Sequence, residues 1–132
     1  MRLKQSFVPF VVATMVGVCA STVHAAAISA AGTTEVEQLL TRLAASDCQF
    51  NRNGSWYSSA EARDHLNRKY QYALDKKLIA SADEFISVVG SKSSSSGSAY
   101  AVKCGAAAQQ PSEAWLTTEL RKLRASKPNP SR

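Results

Sequence analysis

An α+β domain, with about four helices packed on a small three-stranded antiparallel sheet of order 2-1-3, is the fold class this sequence predicts. Three observations predict it. Serine or threonine stands three residues ahead of glutamate at Thr34–Glu37, Ser58–Glu61 and Ser81–Glu84, each pair leading apolar residues at helical spacing, which is the capping-box signature of a helix start. Asn53-Gly54 lies between two short segments, 48–52 and 55–57. That dipeptide favours a hairpin because both central residues of a type I′ turn need positive φ. Residues 100–104 alternate as a third strand does.

The chain begins with a segment that reads as disposable. Arg2 and Lys4 are positive, Phe7 to Ala20 is mostly apolar, and Val23-His24-Ala25 places small residues before Ala26. Residues 1–25 are therefore expected to be a secretory signal peptide cleaved between Ala25 and Ala26. The apolar run is short for a transmembrane helix, so the product is expected not to span a membrane. The branched Val18 before Cys19 argues against lipoprotein processing. Removing 25 of 132 residues leaves 107, enough for one domain, expected over 33–125 between a flexible 26–32 and a disordered 126–132.

Losing Arg2 and Lys4 lowers the net charge from +6 to +4. So mild a balance, without blocks of like charge, gives no expectation of a nucleic-acid partner. The densest basic run, Arg121, Lys122, Arg124 and Lys127, suits a helix C-terminus, with an anionic partner as the alternative. Cleavage leaves two cysteines, Cys48 and Cys104, and an even pair in an exported chain reads as a disulfide. No CxxC is present and His65 is then the single histidine, so no metal site and no cofactor is expected.

In order, the first helix carries Val36, Leu39, Leu40 and Leu43 on one face, starts at Thr34 and ends near Ser46. The two-residue turn sets Arg52 opposite Ser55, Asn51 opposite Trp56 and Phe50 opposite Tyr57. The second helix, about 60–76, buries Ala62, Leu66, Tyr70 and Ala73, with His65 and Lys69 one turn apart beside that stripe. A short third helix turns Phe85, Ile86 and Val89 inward and ends at Gly90 as a C′ residue. Pairing Cys48 with Cys104 sets Phe50 beside Val102 and Arg52 beside Tyr100. After a flexible 105–110, Pro111 and Ser112 open a last helix with Leu116, Leu120 and Leu123 inward and Trp115 at its edge.

The series Cys48-x-Phe50-x-Arg52-Asn53-Gly54-x-Trp56-Tyr57, Ala62-x-x-His65-Leu66-x-x-Lys69-Tyr70, Ala82-x-x-Phe85-Ile86, Ser95-x-Gly97-x-x-Tyr100-x-Val102 and Trp115-Leu116 resembles the YfeK-like family of small exported bacterial proteins. The resemblance spans nearly all of 46–123. It implies a periplasmic setting and supplies no activity.

Four constellations could carry chemistry. Arg52, Asn53, His65, Lys69 and Tyr100 form a cationic pocket if they converge, or serve the turn and the core if they do not. The loop Lys92, Ser93, Ser94, Ser95, Ser96 and Gly97 could cradle an anion or be a polar linker; it is not a P-loop. A serine with His65 as base, and Asp64 or Glu84 as orienting acid, would make a hydrolase, but no nucleophile-elbow motif accompanies it. Trp56, on the hairpin face away from Phe50, is either a partner surface or core. The expectation is a non-catalytic binding or accessory module whose partner is an envelope protein or a small anionic ligand. The alternatives are a small enzyme using His65 and the serine loop, and an electrostatic binder of envelope anions.

Overall fold

The computed structural model describes residues 27–128 together with Pro9. The expected leader with its Ala25–Ala26 junction, Cys19 and the final residues 129–132 lie outside the described residues. Helix α1 spans Ala30–Ala45. Its cap is Ser29, whose Oγ accepts from the Gly32 amide at 3.0 Å, so the start expected at Thr34 is corrected. Ser29 offers the same capping chemistry earlier, and Ala30 and Ala31 are strong helix formers. Thr34 donates instead to the Ala30 carbonyl at 3.1 Å. Residues 30–32, expected to be flexible, are thus helical. Val36, Leu39, Leu40 and Leu43 are buried, and Ser46 ends the helix as expected.

Strands β1 (Cys48–Arg52) and β2 (Ser55–Ser58) form the hairpin in the expected register, Arg52 opposite Ser55 through Phe50 opposite Tyr57. Asn53 and Gly54 take φ of 52° and 85°, the left-handed geometry the turn requires. Ser58 and Glu61 close a complete capping box on α2, Ser59–Asp75. The stripe Ala62, Leu66, Tyr70 and Ala73 faces inward.

Helix α3 is a single turn, Ala82–Glu84, running directly into a π-helical segment, Phe85–Gly90. Ser81 Oγ caps the Glu84 amide at 3.1 Å, but the Glu84 carboxylate accepts from the Ala80 amide, so the reciprocal half of the expected box is displaced by one residue. Gly90 is not a left-handed C′ residue. It ends the π-helical segment, and a Cβ there would lie 2.5 Å from Leu116 Cδ1, so close helix packing explains the glycine.

Strand β3 spans Ala101–Cys104, and β4 is a two-residue strand, Gln110–Pro111, leading into α4, Ser112–Ala125. The sheet has order β2-β1-β3-β4, one strand more than expected. Gln110, expected in a flexible stretch, and Pro111, expected to open the last helix, pair with Val102 and Ala101. Cys48 faces Cys104 across β1 and β3, and the two form a disulfide 56 residues apart in sequence.

Helices cover one face of the sheet. Phe50 and Val102 point into them, with Phe50 edge-to-face on Trp115 at 5.7 Å and Tyr70 on Phe85 at 5.4 Å. Trp56 stands on the opposite face and is 41 % exposed, so of its two readings the core one is excluded. Ser126 and Lys127, expected to be disordered, still serve α4: the Ser126 hydroxyl donates to the Leu123 carbonyl and Lys127 pairs with Glu35.

Candidate functional site

The hairpin turn, the first half of α2 and the start of β3 meet at one end of the sheet. Because Asn53-Gly54 fixes the register, Arg52 leaves β1 on the same face as Phe50 and reaches across to α2. Its Nη1 lies 2.9 Å from His65 Nδ1. Nη1 is also 3.3 Å from Nε2; a guanidinium has only donors, so the shorter contact assigns Nδ1 as the acceptor and places the imidazole proton on Nε2. Nε2 is 3.0 Å from the Tyr100 hydroxyl and donates to it. Lys69, one turn along α2, donates to the same hydroxyl at 3.2 Å. Its other two donors hold the Val89 and Lys92 carbonyls, both at 2.8 Å.

The Tyr100 oxygen therefore accepts twice, and its own proton has no acceptor among the described residues. Burial raises the Tyr100 pKa, against a lowering by Arg52, so the phenol keeps its proton. Burial first, then the charges of Arg52, Lys69 and Arg68, pushes His65 down to about 4, which leaves a neutral ring at physiological pH. Burial and Arg52 bring Lys69 down to about 8. Arg52 also lies over the Tyr57 ring, 5.1 Å from its centroid. Among the described residues no carboxylate lies within salt-bridge distance of Arg52, Arg68 or Lys69.

A cleft of about 260 Å³ opens beside this cluster. Arg52, Tyr57, His65, Arg68 and Tyr100 supply its polar wall, and Phe50, Ala62 and Leu66 its apolar one. Ser112, the first residue of α4, also lines it. Its hydroxyl is buried, at 1 % exposure of the residue, and has no partner among the described residues. Glu61 and Asp64 also line the cleft, with their carboxylates bonded to other groups, Glu61 in the α2 cap and Asp64 with Arg63 at 2.9 Å.

The sequence-named residues divide into two groups. Arg52, His65, Lys69 and Tyr100 converge. Asn53 does not enter the cleft; it accepts from the Ser96 hydroxyl at 2.6 Å and donates to Ser93 Oγ at 3.4 Å, latching the turn to the serine loop. In that loop the amides of Ser93, Ser96, Gly97 and Ser98 donate within the loop itself, and Ser93 is buried. Four of the loop's amides are thus engaged within it and the Lys92 carbonyl binds Lys69, while the Ser94 and Ser95 amides and the Lys92 ammonium have no partner among the described residues. No serine hydroxyl among the described residues bonds His65. Asp64 and Glu84 are held by Arg63 and the Ala80 amide, so neither orients the ring. Arg68 and Ser112 escaped the sequence reading. Arg68 stands three residues after His65, a signal that was available; a buried serine at the start of a helix leaves none.

At the opposite end, three of the four residues of the C-terminal basic run are ion-paired, and Arg121 has no salt bridge among the described residues. Arg124 grips Glu35 at 2.9 Å and Asp83 at 2.7 Å, Lys127 binds Glu35 at 2.9 Å, and Glu119 joins Arg42 at 3.0 Å and Lys122 at 2.9 Å. Arg124 and Lys127 hold the Glu35 carboxyl down at about 2 against a raising effect of burial.

Among the described residues no helix is long and apolar enough to cross a membrane, and no three His, Cys, Asp or Glu side chains cluster to hold a metal ion. Residues 30–124 match the profile of a family described as a family of unknown function, DUF5329. No curated protein and no solved structure matches the chain.

Proposed function

With the chain belonging to DUF5329, a family whose name carries no activity, we propose from the site itself that this is an exported protein of the periplasm that binds a small anion in the cleft beside Arg52. The YfeK-like likeness, the leader-like residues 1–25 and the Cys48–Cys104 bridge support the export half of the reading.

One observation carries the binding half. The cleft holds an excess of donors over acceptors: a guanidinium whose side-chain partners are a neutral imidazole and a phenol, and a Tyr100 proton with nowhere to go. Like charges gathered without a counter-charge disfavour the folded state, and an incoming oxyanion reverses that penalty. Arg52 suits the task because its planar fork matches a carboxylate or phosphate face. Neutral His65 acts as a positioning residue: it aims the guanidinium through Nδ1 and, through Nε2, leaves the Tyr100 proton free for the ligand. Nothing in the arrangement asks for bond-making chemistry, so the reading is of a receptor.

The test is thermal unfolding of the purified protein in acetate, phosphate and sulfate, each against chloride at equal ionic strength. The reading expects an oxyanion-specific rise in Tm that Arg52→Gln abolishes. Equal rises in both proteins would refute it. Mass spectrometry of the cell-derived protein checks export, with Ala26 expected as the first residue.

A further inference from the structure

The cleft is not uniformly polar, and its two unused features point to a ligand more specific than a bare anion. The first is the apolar lining of Phe50, Ala62 and Leu66, which shares the cleft with Arg52. A fully hydrated inorganic anion gains nothing from such a wall, whereas an apolar ligand body does. The second is Ser112. Pro111 occupies the cap position of α4 and provides no side-chain cap; the Ser112 amide donates to the Tyr100 carbonyl at 2.9 Å, and the rest of the first turn of this 14-residue helix has no capping side chain. At that end sits a buried hydroxyl with no partner, lining the same cleft as Arg52. An orphaned buried hydroxyl costs free energy unless something bonds it, and beside a helix N-terminus the favoured partner is an acceptor oxygen.

Resting on the anion-receptor reading above, we infer that the ligand is a small organic carboxylate: a carboxylate oxygen pair held by Arg52 and the Tyr100 proton, a compact apolar body on Phe50 and Leu66, and an acceptor oxygen reached by Ser112 Oγ. The cleft volume of about 260 Å³ has room for about nine water-sized groups, at roughly 30 Å³ each, the size of a small organic acid. The assignment separates recognition into parts. Arg52 reads charge, the apolar wall reads the body, and Ser112 fixes orientation.

Isothermal titration of the purified protein with benzoate, acetate, inorganic phosphate and benzyl alcohol tests each part. Benzoate is expected to bind at least about tenfold more tightly than acetate or phosphate, and benzyl alcohol more weakly than benzoate. Ser112→Ala should weaken benzoate by about tenfold with unchanged circular dichroism. Ala62→Leu, which narrows the apolar wall, should weaken benzoate and spare acetate. If phosphate binds as tightly as benzoate in an Arg52-dependent way, the carboxylate assignment falls and the anion receptor stands; if acetate does, the apolar body drops out of the assignment and the anion receptor stands. If benzyl alcohol matches benzoate, or no probe depends on Arg52, both fall.

Discussion

The two ends of the molecule treat charge in opposite ways. Where α1 meets α4, the half-buried carboxylates of Glu35 and Glu119 are each shared by two cations, and the ion pairs run from 2.7 to 3.0 Å. Where the hairpin meets α2, Arg52, Arg68 and Lys69 gather with no carboxylate within salt-bridge distance, although Glu61 and Asp64 line the same cleft. Lys69 is reconciled by backbone carbonyls, one of them Val89 near the end of the π-helical segment, where helix carbonyls favour a cation. Arg52 is not. The difference teaches which charges serve the fold. Paired charges add to the contacts between helices that the apolar core already joins; Arg52 and Arg68, without a carboxylate partner among the described residues, stand at a cleft with two idle hydroxyl donors.

The largest expected effect breaks the link between the two ends. The Cys48–Cys104 bridge ties the strands that carry Arg52 and Tyr100 to one another. Replacing both with alanine should lower the unfolding free energy by about 4 kcal/mol on the chain-entropy model, measured by urea titration. Next, Arg52→Gln should weaken carboxylate binding by about 100-fold, a loss of about 2.7 kcal/mol, by calorimetry. On the other side, Glu35→Gln should destabilise by about 1–2 kcal/mol, discounted because Arg124 is itself 43 % exposed, and leave carboxylate affinity unchanged.

The smallest effect is a difference in acid response. His65 is pushed down from 6.5 to about 4 when folded, so its neutral form stabilises the fold above pH 6.5, and that contribution is lost as pH falls toward 4. Glu35 is held down from 4.5 to about 2, so its contribution persists above pH 4.5 and disappears as pH falls toward 2. Acid unfolding curves should therefore lose their upper portion in His65→Gln and their lower portion in Glu35→Gln. His65 faces Arg52, Lys69 and Tyr100, with Arg68 on its own helix, and none of these carries a negative charge at these pH values to offset the first effect.

Those contrasts also mark how far the sequence could be read. The β1–β2 register was legible because Asn53-Gly54 admits one turn geometry, and the β1–β3 register because the cysteines had to meet. Arg52 beside Tyr100 followed from both. Strand β4 was not legible: two residues, one of them proline, give no alternation. The start of α1 misled because Ser29 and Thr34 offer the same capping chemistry, and the helix-forming Ala30 and Ala31 extend it back to the earlier cap. The π-helical segment was hidden because Phe85, Ile86 and Val89 fit an ordinary helical face equally well. Ser112 was invisible for a plainer reason. Its importance lies in a bond it does not make, and pattern carries no record of that.

The most direct measurement is the stability of Arg52→Gln without ligand, by urea unfolding beside Glu35→Gln under identical conditions. If Arg52 is kept for a ligand, the variant should unfold within about 0.5 kcal/mol of the parent and lose its response to added carboxylate. A drop as large as that of Glu35→Gln, with the carboxylate response intact, would mean that Arg52 holds the fold together and that the cleft has no anion to receive.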